Sequence, residues 1–142
     1  MKLDPRAALS IAAAVVLGLA TVASADSLDI KPGLWKKSLK VVTGGRTVMD
    51  TTIDACLTAD DLDLKKTAEK LTQSPSCKVT EQELSPKRLK VVIQCKDMLA
   101  NSTTEVLNRE SVVVTATMKS SADAEETRST EQWSFVKADC VK

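Results

Sequence analysis

Two cysteines frame the stretch CKVTEQELSPKRLKVVIQC, residues 77–95. Its two halves alternate in the manner of strands, and SPKR between them holds a serine and a proline suited to a turn. If Leu84 pairs with Arg88 across a three-residue loop, Cys77 falls directly opposite Cys95. A disulfide across neighbouring antiparallel strands meets the required Cα separation of roughly 4.4–6.8 Å. That register carries a conflict. Leu89, Val91 and Ile93 share a face with Cys95, and the same register puts Glu81 and Glu83 on that face. A bulge or a longer loop would relieve it.

The chain has two more cysteines, Cys56 and Cys140. Four cysteines allow three pairings, and an even number in a short exported chain reads as two disulfides. The hairpin favours Cys77–Cys95, which leaves Cys56–Cys140 to tie the end of the chain to its first third. Zinc is the competing use of four cysteines. The chain has no C-x-x-C pair and no histidine, so no metal site is expected.

Export is expected from the start of the chain. Lys2 and Arg6 precede an apolar run from Ala7 to Val22, followed by Ala23-Ser24-Ala25 as an Ala-x-Ala exit. These parts read as a signal peptide over 1–25. The apolar run is shorter than the roughly 20 residues of a spanning helix, so the processed protein is not expected to be an integral membrane protein. Removing 25 of 142 residues leaves 117, enough for a single domain over 26–142. Of 20 basic and 19 acidic residues, 18 of each then remain. A balanced charge argues against nucleic acid as a partner, because phosphate neutralisation needs a basic excess.

Most of the rest reads as strands. In KPGLWKKSLKVV (31–42), Trp35, Leu39 and Val41 share a face, with Lys36, Ser38 and Lys40 on the other. The lysines read as a solvated face of an antiparallel sheet. TGGR (43–46) is a turn whose glycines can take positive φ, and a second strand follows from about Thr47 to Ala55. A further hairpin turns near Asn108–Glu110, and TRSTEQWSFVKADC closes the chain as a strand carrying Trp133 and Phe135 on one face. One helix is expected over 58–72, with Thr58 as N-cap and Asp60 and Asp61 at its positive end. The fold class is mainly β (α+β): one curved antiparallel sheet or half-barrel meander of about six to seven strands, with the helix packed against it.

Catalytic chemistry finds little footing. Without histidine there is neither a Ser-His-Asp nor a Cys-His site. The carboxylate pairs Asp60–Asp61 and Glu125–Glu126 are sequence neighbours, which do not face each other. No nucleotide or phosphate loop is present. No catalytic residue, metal or cofactor is therefore expected, and the reading is a non-catalytic binding module. Trp35, Trp133 and Phe135, the three aromatic residues of the chain, are the candidates to face an apolar, lipid-like ligand or a segment of an exported partner protein. Their competing use is the core, where burying each contributes about 1.5–3 kcal/mol. The alternative function is a structural or stress-related envelope protein that acts through protein contacts without a small ligand.

The signal segment, IKPGLWKKS, CLTADDL, two central cysteines and a cysteine near the end occur here in that order. This arrangement resembles the bacterial secreted family known as domain of unknown function 3617, across essentially the whole processed chain. The tail FVKADC lacks the glycine that the family pattern places before the last cysteine, and the chain has no tyrosine. The resemblance implies a periplasmic or secreted protein and carries over no catalytic residues.

Overall fold

The computed structural model describes residues 26–120 and 125–141. The predicted signal segment lies outside the described residues. Those described form seven strands and one helix: β1 (Gly33–Thr43), β2 (Arg46–Leu57), α1 (Leu64–Leu71), β3 (Cys77–Ser85), β4 (Arg88–Cys95), β5 (Met98–Asn108), β6 (Ser111–Ser120) and β7 (Thr127–Lys137). All strands join one antiparallel sheet in the order β2-β1-β7-β6-β5-β4-β3. The sheet does not close, so β2 and β3 are its edges. The expected mainly β fold with one helix is what forms.

Alternation sets the two faces. In β7 every second residue from Thr127 to Phe135 is half-buried and the residues between are exposed. The tight turns follow their side-chain chemistry. Gly44 and Gly45 take φ of 55° and 76° between β1 and β2, a left-handed pair that other residues resist. Between β5 and β6, the Asn108 carboxamide oxygen accepts from the Glu110 amide at 2.8 Å.

The first hairpin keeps its cysteine pairing but not the expected register. Leu84 faces Leu89 and Ser85 faces Arg88, so the loop is the two residues Pro86 and Lys87. A bulge between Val79 and Glu81 then restores Cys77 opposite Cys95. The shift turns Glu81 and Glu83 away from the Leu89–Val91–Ile93 face, and Glu81 pairs with Lys90 at 2.6 Å. Burial settled the register: one extra residue at Thr80 is cheaper than two carboxylates on the sheet's inner face. Both disulfides form, Cys77–Cys95 with Cα atoms 4.1 Å apart and Cys56–Cys140 with 5.5 Å.

The helix also departs from expectation. It runs from Leu64 to Leu71 and its N-cap is Asp63, whose carboxylate accepts from the Lys66 amide at 3.0 Å. Thr58 instead opens a turn, its amide and hydroxyl both donating to Asp61 at 2.8 Å. A helix begun at Thr58 would need the Leu62 carbonyl for Lys66. That carbonyl accepts from the Leu28 amide at 2.9 Å, and the Leu64 amide donates to Asp26 at 2.8 Å. The segment before β1 takes the backbone groups that an earlier helix would use.

That same segment plugs one end of the sheet. The Asp29 backbone amide donates to the Pro86 carbonyl at 2.8 Å and the Lys31 amide to the Arg109 carbonyl at 3.0 Å. The plug carries Leu28 and Ile30 into the core, against Trp35 of β1, Leu62, Leu64 of α1 and Val112 of β6.

Candidate functional site

The residues opposite one another in the ladders make rows across the inner face. The innermost holds Trp35 and Phe135; the next holds Lys37, Trp133, Val112 and Val106. Then come Leu39, Glu131, Val114, Thr104 and Leu89. The outer two rows read Val41, Ser129, Ala116, Ser102, Val91 and then Thr43, Thr127, Met118, Ala100, Ile93. The centre of the first of these is short, Ser129, Ala116 and Ser102, and Ala100 continues it beside Met118 in the second. Longer apolar side chains stand on both flanks, and Thr67 and Leu71 of α1 also border this space.

Short floor and long walls leave an open groove of about 520 Å³. It is bordered by β1, β4, β5, β6, β7 and α1, so the sheet bends around it. Its walls are largely hydrocarbon. Thr104, which is buried, and Glu131 are its polar side chains nearest the plugged end, and Ser102, Ser129 and Thr127 lie further out. The Glu131 carboxylate accepts from the Trp133 indole N–H at 2.7 Å.

Lys37 completes this polar end. Unlike Lys36 and Lys40, which are exposed as a solvated face requires, Lys37 points inward and is half-buried. Its ammonium lies 3.6 Å from the centre of the Trp133 ring. Burial holds its pKa below the usual lysine range, against the opposing pull of Glu131 and Asp61.

Of the three aromatic candidates, Trp35 has no exposed surface. It packs edge-on against Phe135 with ring centroids 5.6 Å apart and donates its indole N–H to the Lys31 carbonyl at 2.9 Å. Trp133 and Phe135 are half-buried and pack against the same core. None of the three borders the groove; they build its closed end. The residues that do border it, such as Val91, Ala100, Ala116 and Met118, carry a weaker signal. Alternation places each on a face, but β4, β5 and β6 must be set in register before these side chains meet. Among the described residues, no cysteine is free and no cluster of cysteine and carboxylate side chains could hold a metal.

A single unclosed antiparallel sheet, plugged at one end and with a short helix bordering an apolar groove, defines the architecture. A family described as "Protein of unknown function (DUF3617)" matches residues 30–140, and the chain belongs to it. Neither a curated protein nor a solved structure matches the chain.

Proposed function

We propose that this is a non-catalytic, exported binding module that takes an apolar, lipid-like chain into its groove. The observation that carries the reading is the short floor of Ala100, Ser102, Ala116 and Ser129 between long apolar walls. A core selected for packing alone fills such space, since cavities are destabilising. A volume of about 520 Å³ falls within the range of small-molecule sites. Two disulfides suit an oxidising compartment such as the periplasm.

The test is in two parts. Protein purified from its native compartment is extracted under denaturing conditions and the extract analysed by mass spectrometry; a stoichiometric apolar compound is expected. Stripped protein is then titrated with fatty acids and phospholipids while tryptophan emission is followed. A saturable response is expected, carried by Trp133, which lies one row beyond Glu131. Ala116→Phe fills the floor and should abolish the response while leaving the fold intact. An empty extract together with a flat titration would leave the protein-contact role as the better account.

A further inference from the structure

The two edges of the sheet are not alike. β3 is guarded: it carries the bulge at Thr80 and the charged residues Lys78, Glu81 and Glu83. β2 pairs only with β1; its one bulge is at Val48, and from Met49 to Leu57 it has no bulge, lysine or proline. Its apolar side chains are uncovered, with Val48 62%, Met49 50% and Ile53 52% exposed. A long edge with these properties is a template for a further strand.

We propose that β2 pairs antiparallel with β2 of a second copy of this chain, about a two-fold axis at Thr51. The strand's own sequence selects this occupant. Centred on Thr51, Met49 meets Ile53 twice, Asp50 falls opposite Thr52, and Asp54 falls at the bulged, uncharged Val48. The regular stretch Met49–Ile53 is then paired on both sides, up to the bulge at Val48. Moving the centre by one residue sets Asp50 against Asp50, or Asp50 against Asp54, which like-charge repulsion disfavours. The resulting dimer is isologous, as two-fold pairing requires, and its two inner faces lie on the same side of one continuous sheet.

Sedimentation equilibrium on the processed, oxidised protein should show a concentration-dependent dimer. Thr51→Cys should be captured as a dimer by a short bifunctional thiol reagent, while Thr80→Cys on the opposite edge should stay monomeric. Ile53→Lys should raise the dimer dissociation constant by about tenfold or more with an unchanged circular dichroism spectrum. A protein that stays monomeric at the highest reachable concentration would overturn the proposal. So would capture at position 80 instead of 51, or a dimer indifferent to Ile53→Lys. A different protein bound along β2 of an otherwise monomeric chain would also overturn it, in favour of a heterologous strand.

Discussion

Lys37 and Trp133 stand directly opposite each other on β1 and β7, with the lysine nitrogen 3.6 Å from the indole ring centre. A cation over an indole face contributes about 0.5–2 kcal/mol, and burial of the ammonium opposes it. Burial prevails over the nearby carboxylates, because the Lys37 pKa is lowered from its ordinary 10.5. Between the lowered value and 10.5 the unfolded chain holds more protons than the folded one, so this group makes stability rise with pH across that window. Lys37→Met should flatten the rise and leave stability at neutral pH within about 1 kcal/mol of the parent. Urea unfolding of both proteins from neutral pH to 10.5 measures this; a large loss at neutral pH would show that the ring contact outweighs burial.

The two staples differ in the loop they close. Cys56–Cys140 spans 84 residues and Cys77–Cys95 spans 18. In the chain-entropy account, replacing the first pair by serine costs about 4–5 kcal/mol and the second about 3 kcal/mol. Non-reducing peptide mapping should recover these two pairings, and denaturant midpoints of the two double variants should rank in that order.

Gly33 is held at φ 140°, and a Cβ there would lie 2.4 Å from the Lys137 carbonyl oxygen and 2.9 Å from the Ala138 Cα. Both neighbours are backbone, so neither can turn aside. Gly33→Ala should destabilise by several times the ~1 kcal/mol of an ordinary loop substitution. Thermal unfolding gives the answer, with Gly45→Ala as the comparison: its φ is also positive, but its Cβ would meet no atom.

The helix start can be tested by its caps. Asp63→Ala removes the acceptor of the Lys66 amide and should cost about 1 kcal/mol. Asp61 works in the preceding turn. Its two bonds from Thr58 hold its pKa below the ordinary 3.8, so whatever stability it gives is complete above that value. It is lost as pH falls through the lowered pKa. Asp61→Asn should therefore shrink the acid sensitivity of unfolding, whereas Asp63→Ala should reduce helicity at neutral pH, read from circular dichroism.

Local chemistry accounts for what the sequence by itself determined. Alternation marked the strands, Gly44-Gly45 and the Asn108 region marked turns, and the spacing of Cys77 and Cys95 around a turn implied their bond. These signals are local, none reaching further than the 18 residues between Cys77 and Cys95, a range over which backbone preference and side-chain periodicity act directly. Tertiary structure decided the rest, because it rests on groups far apart in the chain competing for the same partner. The Leu62 carbonyl went to Leu28 instead of Lys66, which moved the helix start to Leu64. Keeping Glu81 and Glu83 off the inner face shifted the hairpin register and placed the bulge at Thr80. β7 returned to pair with β1, which set Trp133 opposite Lys37 and left β2 as an open edge, and it paired with β6, which set Ser129 beside Ala116. The groove exists only in that alignment: short side chains scattered along β5, β6 and β7 become one floor when the sheet's order and register bring them together.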